Sequence, residues 1–504
     1  MMSMVMTPFS LIPGCSMVVL LFNTAIAQES TPPITISKET TWIVSPIRPD
    51  GRVNYVEALN QQLREGVTTD NNSAVMFRRA FGHRGLKAET ADEYFRQLGI
   101  EVLPKDGHYL LNLDDFLNSL EPSPSPAVIA SRYEQRRSLY QQCNEARSRP
   151  WTRDEFPFIA RWIDANDAPL KFVIEGSQRT KYFAPLLPAV NSSLAAFSSD
   201  SAQMREAAEL LGVRAMLNLG EGRLEDAWSD VLAIHRLARF IAPGPGIVGF
   251  LIGSAIESFV SRCDEQIARQ GTMNAEFAAK CLREFEQMEV IDGLADRIDV
   301  DGRYEYLDTI QYLSRRDEEY LRQFNFRFYF VGDKTLAEFV RSRLIERSLD
   351  VDNLLKTGNQ WFDRYAKAAR LPTRTARTAE IEKLDSEWQA VLDGLKNIPQ
   401  TETNFTREES SRMVATAFLS VPFSIVKRVF DTMDSCAMRT ELSHCVFALA
   451  AWRADQGQYP NELTELSPTY LKTIPIDRFN GYAQHGRELM GCKSPVRKRE
   501  LRRR

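Results

Sequence analysis

Histidine is the scarcest source of acid–base chemistry in this chain. His83, His108, His235, His444 and His485 are the only five in 504 residues, so a histidine-based catalytic site has few places to form. His235 is the best placed. It follows Val231 by four residues, on the apolar face of a helical stretch that also carries Leu224, Ala227, Trp228, Ala238 and Ile241. A histidine there serves either as a general base or as a core side chain hydrogen-bonded to backbone or water. Asp230 lies five residues earlier, off the same stripe, and completes no dyad, which favours the core role. A hydrolase would have to assemble its site from distant parts of the chain, with Asp164, Glu175, Asp230 and Asp308 as the acids that could join His235.

The other chemistry-bearing patterns are incomplete. Between Arg297 and Asp308, the residues Asp299, Asp301, Gly302, Glu305 and Asp308 fall at positions three, five, six, nine and twelve of a calcium-loop register. Position one, which should supply a carboxylate, is Arg297, and Tyr304, Leu307 and Ile310 read as a helix face. No serine sits in a Gly-x-Ser-x-Gly elbow. Gly244-Pro-Gly246 and Gly249 lack the Lys-Ser/Thr of a phosphate loop. There is no Cys-x-x-Cys, and His444-Cys445 are adjacent, so their side chains diverge on a helix. The sequence therefore assigns no catalytic, cofactor-binding or metal-ligating residue, and it points to no cofactor.

Composition sets the wider frame. Hydrophobic residues make up 43% and charged residues 26%, enough for a large core. The formal net charge of −4 gives no reason to expect nucleic acid as a partner. Seven cations in the last twelve residues, from Lys493 to Arg504, make a basic tail read as solvated and disordered. At the other end, Met17–Phe22 is a short apolar run and Ala25-Ile-Ala27 a small-x-small cleavage signature, although no Lys or Arg precedes the run. Residues 1–27 read as a signal peptide, giving an exported protein of the periplasm or cell envelope. The alternative is an uncleaved N-terminal anchor, through which the protein would associate with a membrane. Export permits disulfides. Cys436 and Cys445, nine apart, face opposite sides of a continuous helix, and Cys263 and Cys281 read as buried thiols.

The elements that must position these groups are mainly helical, in a multi-helix bundle or an irregular array of helical hairpins. After an extended, proline-marked lead-in at 28–53 comes a small helical domain at 54–120. Within it, helices are expected near Asn54, from Asp70–Ser73, and over Ala91–Leu98 up to Gly99. Glu121–Pro126 is a polyproline-like connector. A helical core follows at 127–323. Trp151–Asp164 reads there as a capped helix, with Thr152 as N-cap and Glu155 completing a capping box. Its clearest feature is a hairpin at 202–241, Ala202–Leu219 and Leu224–Ile241 joined by Gly220-Glu-Gly-Arg223. The Gly249/Gly253 pair predicts a close contact between two helices. Phe324–Phe330 alternates with period two, the one strand signal. A second helical region runs over 324–456, with helices at 335–347, 350–370, 378–396 and 407–456, the last broken at Pro422. Residues 457–481 form a Tyr-Pro, short-helix and extended module, and 482–504 the tail.

Three resemblances follow from these residues. Gly222-Arg-Leu-Glu-Asp-Ala227 resembles the turn of a tetratricopeptide repeat, with Arg214 where that repeat has a large apolar residue and no second copy at the repeat period. Tyr55–Asn60, Trp151–Pro188, Leu224–Arg239 and the Tyr459-Pro460 segment together resemble large exported or envelope proteins of planctomycete bacteria, a resemblance that implies location and no activity. Gly457-Gln-Tyr-Pro460 with Ile474-Pro-Ile-Asp-Arg-Phe-Asn-Gly481 is similar to the C-terminal segment of type II secretion pseudopilins. That likeness is local: Phe9-Ser-Leu-Ile-Pro13 lacks the glutamate of a pseudopilin start, and the chain leaves the pattern after Gly481. The expected function is a structural or protein-interaction role in the cell envelope, with an unidentified protein partner. The alternatives are a hydrolase with an unrecognised site and a membrane-anchored secretion-related component.

Overall fold

The computed structural model describes residues 34–120, 126–187, 200–271, 273–291, 293–314, 349–396 and 405–479. The signal-peptide stretch, most of the proline connector, the period-two run at 324–330, the helix expected at 335–347 and the basic tail lie outside the described residues.

The chain is mainly α-helical. In order, the helices are α1 (Tyr55–Leu63), α2 (Ser73–Phe81), α3 (Ala91–Leu98), α4 (Leu113–Leu120), α5 (Pro126–Ser148), α6 (Pro157–Ala165), α7 (Asp167–Ser177), α8 (Asp200–Gly220), α9 (Leu224–Ile241), α10 (Gly246–Ala268) and α11 (Ala275–Glu286). The twelfth, α12, opens as Leu294–Asp296, passes through a π-helical turn at Arg297–Gly302 and continues as Arg303–Ser314. Then come α13 (Val351–Ala369), α14 (Arg374–Lys396), α15 (Arg407–Ser424), α16 (Val426–Gln456) and a 3-10 turn at Leu463–Leu466. Extended pairing among the described residues amounts to isolated bridges, such as Ile47 with Val53 and Asn72 with Lys181, and no sheet forms there.

Short polar side chains fix where these helices begin. Asn54, Asn72, Asn274 and Asp350 each accept a hydrogen bond from a first-turn amide, and Thr406 with Glu409 makes a full capping box. The box expected at Thr152 and Glu155 does not form. Residues 153–155 make a turn, the helix starts at Pro157, and Glu155 pairs with Arg149 instead. Proline is preorganised for the first helical position, and this local preference outweighs the capping signature five residues upstream. Pro422 acts as expected: α15 stops at Ser424, and α16 starts afresh at Val426. Gly457 then terminates α16 in the left-handed conformation, φ +73. Beyond it Leu463, Leu466 and Leu471 fold back onto Cys445, Ala448 and Leu449 of α16.

The hairpin α8–α9 forms the centre of the core, with α10 laid along α9 and α16 along α10 and α11. One buried apolar cluster runs from Val53 through these helices to Ala451. Gly253 lets α10 approach α9 closely: a β-carbon there would stand 2.7 Å from the Ala238 carbonyl oxygen and 2.8 Å from Ala242 Cβ. Gly253→Val should therefore lower stability by about 1–3 kcal/mol in urea titrations through overpacking. An unchanged midpoint would show that the helices can part freely. Among the described residues, α10 is also the one helix long and apolar enough to cross a membrane, and half of its apolar window is buried within the protein. Cys143, Cys263, Cys281, Cys436 and Cys445 are free thiols, and Cys436 and Cys445 join different core clusters, as opposite faces of α16 require.

Candidate functional site: a sealed charge network beside a cationic cavity

His235 is fully buried in the core. Its partners are two carboxylates of α10, not the backbone or water expected of a core histidine. Nδ1 lies 3.1 and 3.0 Å from Glu257 Oε1 and Oε2, and Nε2 lies 3.1 Å from Asp264 Oδ1. Glu257 and Asp264 are seven residues apart, two turns along one face of α10, which places one acid at each nitrogen of the ring. Arg239, one turn beyond His235 on α9, donates from Nη1 to Glu257 Oε2 at 3.0 Å and to the His235 carbonyl at 2.9 Å. From α16, Ser443 donates to Asp264 Oδ2 at 2.6 Å and Thr440 to Glu257 Oε1 at 3.4 Å. Phe285 of α11 closes the cluster edge-on, 4.7 Å from the imidazole centroid.

This geometry fixes the charges. Both ring nitrogens face carboxylate oxygens, which only accept when ionised, an arrangement that suits an imidazolium with both nitrogens protonated. Burial alone would depress the histidine pKa, but Glu257 and Asp264 more than reverse that and push it up to about 9. For Glu257, burial favours the neutral acid, yet His235 and Arg239 overcome it and hold the carboxyl near 2. Two cations and two anions balance inside an apolar core. An imidazolium with both N–H groups engaged offers no lone pair to a substrate, so His235 is not arranged as a general base.

Of the other candidate acids, three are spent on separate pairs. Asp164 is bonded to Arg153 at 2.9 and 3.0 Å on the surface, and Glu175 is exposed. Asp230 takes a two-pronged pair from Arg214, at 3.0 and 2.6 Å, with Asn218 adding a third donor. That pair accounts for the arginine where a tetratricopeptide repeat would place an apolar residue. Asp308 meets Arg48 at 2.9 Å. The calcium-like run is helical rather than a loop: Asp299 binds Arg303 and Arg370, and Asp301 binds Arg297 and the Gly246 amide. None of these residues, nor His235, lines the cavity between the segment after α7 and the turn into α10.

That cavity, of about 550 Å³, opens beside the network. Its walls are the segment after α7, the start of α8, the end of α9 and the Pro243–Pro245 turn into α10. Two buried asparagines hang the first wall. Asn72 donates to the Phe183 carbonyl and accepts from its amide, both at 2.9 Å, and Asn60 does the same for Leu186. Each amide side chain thus imitates a neighbouring strand and holds 181–187 extended. The opposite wall is pinned by Arg297, which bonds the Pro243 carbonyl, and by Asp301 on the Gly246 amide. Phe183, Phe240, Ile252 and Met288 supply apolar surface, while Arg179, Lys181, Arg236 and Arg239 supply charge against the single acid Glu289. Arg239 belongs to both places, which joins the cavity to the buried network.

Sequence reasoning found His235 but missed Glu257, Asp264, Asn60 and Asn72. Glu257 and Asp264 did carry a signal, two acids seven residues apart on one stripe of α10. A scan against protein-family models, a search of curated proteins and a search of solved structures find no match to this chain.

Proposed function

We propose that this is an exported helical protein of the cell envelope that acts by binding, with a structural or protein-interaction role, and that the His235 centre is a strut of its core. The observation that carries this reading is the double engagement of His235 by Glu257 and Asp264, which removes the best-placed acid–base group from chemistry. The leader at 1–27 supports export, and the likeness to planctomycete envelope proteins supports the location. The module after Gly457, folded back on α16, offers a built C-terminal face of the kind that secretion pseudopilins share in sequence.

Two measurements on the native source test this. N-terminal sequencing of the protein from the envelope fraction should begin at Gln28, and mild extraction should co-purify a stoichiometric partner. A retained leader would make the protein anchored, and recovery from the cytoplasm would contradict the export reading.

A further inference from the structure

We propose that the cavity between the segment after α7 and the α9–α10 turn binds an amphipathic anion, one carboxylate or phosphate head on an apolar chain. Three observations carry this. The volume of about 550 Å³ falls within the range of small-molecule sites, about 300–1,000 Å³. The apolar surface of Phe183, Phe240, Ile252 and Met288 suits a hydrocarbon body. The charge of the lining is uncompensated in a specific way.

Each cation can be followed to its partners. Arg239 is already balanced by Glu257 beneath it, yet its Nη2 has no hydrogen-bond partner among the described residues. Arg179 donates to the backbone carbonyls of Thr69 and Asn72, at 2.7 and 2.9 Å, and so keeps its full charge. Lys181 and Arg236 have no ion-pair partner among the described residues. Glu289, the one acid of the lining, gives Arg239 only its carbonyl oxygen, at 2.7 Å. The N-terminus of α10 is not the binding element, since Asp301 already takes the Gly246 amide at 3.0 Å. Burial holds Arg236 below the ordinary arginine range, opposed only by Glu284, so an arriving anion would relieve a real desolvation cost. The apolar rim reaches solvent at Val248, which is 44% exposed.

This inference rests on the binding reading given above. The test is calorimetric titration of the full mature chain with dodecanoate and dodecyl phosphate, with dodecanol and dodecyltrimethylammonium as controls. Either anion should bind with Kd on the order of micromolar. Stronger binding of one head over the other identifies the natural source as carboxylate or phosphate. Arg236→Gln should weaken binding about tenfold or more by removing a charge-assisted hydrogen bond. Val248→Asp, at an exposed position that leaves the core intact, should do the same by repulsion. Failure of both anions to bind, equal affinity for dodecanol or the cationic chain, or unchanged Kd in both variants would overturn the proposal. Ligand recovered after incubation should be chemically unchanged by NMR. A cleaved or modified ligand would contradict the binding reading while leaving the site in place.

Discussion

Replacing His235 with leucine is expected to cost about 3–5 kcal/mol of stability at neutral pH, because it strands two buried carboxylates against the single charge of Arg239. The loss should shrink on acidification, where one stranded acid can take up a proton instead. In the native protein the pH dependence has a defined sign. The histidine has a folded pKa of about 9 against 6.5 unfolded, so its contribution, of order 3 kcal/mol, is complete below 6.5 and lost as pH rises through 9. Glu257 works in reverse: its contribution is complete above 4.5 and lost as pH falls towards 2. The two belong to one ion cluster and do not add. The cluster's own contribution, read as the difference in stability between the native and leucine proteins, should therefore plateau between about 4.5 and 6.5 and decline on both sides, while burial of Glu305, pushed up to about 7, lowers the stability of both proteins as pH rises through that window. Urea unfolding across pH checks this. A leucine variant as stable as the native protein would show that the cluster contributes nothing to the fold.

Arg78→Met should be comparably severe, about 3–5 kcal/mol. Arg78 is completely buried where α2 meets the start of α8. It pairs with Asp200, donates to the carbonyls of Gly82 and Arg84 at 3.2 and 3.0 Å, and lies over the Tyr94 ring at 5.3 Å from its centroid. Tyr94 also donates to Asp200, at 2.8 Å. Methionine keeps the length and removes the charge, leaving a sealed carboxylate with that phenol as its named donor. The double variant Arg78→Met, Asp200→Leu removes both charges and should recover part of the loss. A double-mutant cycle should show coupling of at least about 1 kcal/mol. Simple additivity would mean that the pair is energetically silent.

How much of this was legible in the sequence depends on the range of the interaction. The α8–α9 hairpin was readable because its turn is local: Gly222 takes φ +78, a conformation glycine adopts freely. The ends of α15 and α16 were readable from Pro422 and Gly457 for the same reason. The Thr152 cap misled because two local rules competed within six residues and Pro157 prevailed. The site was less legible. His235 could be placed on a face, but its partners lie 22 and 29 residues away on another helix, and no periodicity reports a tertiary ion pair. Asn60 lies inside α1 and Asn72 reads as part of a capping cluster, and their role towards the cavity exists only because 181–187 passes beside them. The cavity is built by loops and helix ends, where sequence patterning carries least information.

The reading of the protein as a binder stands on His235 being a charged strut at neutral pH. Its direct test is NMR of ring-labelled histidine, with the His235→Leu protein used to assign the signal. At neutral pH both nitrogens of His235 should be protonated, and the ring should lose its proton only as pH passes about 9. A neutral tautomer at neutral pH, titrating near the ordinary value of 6.5, would leave a free lone pair in the core and contradict the account.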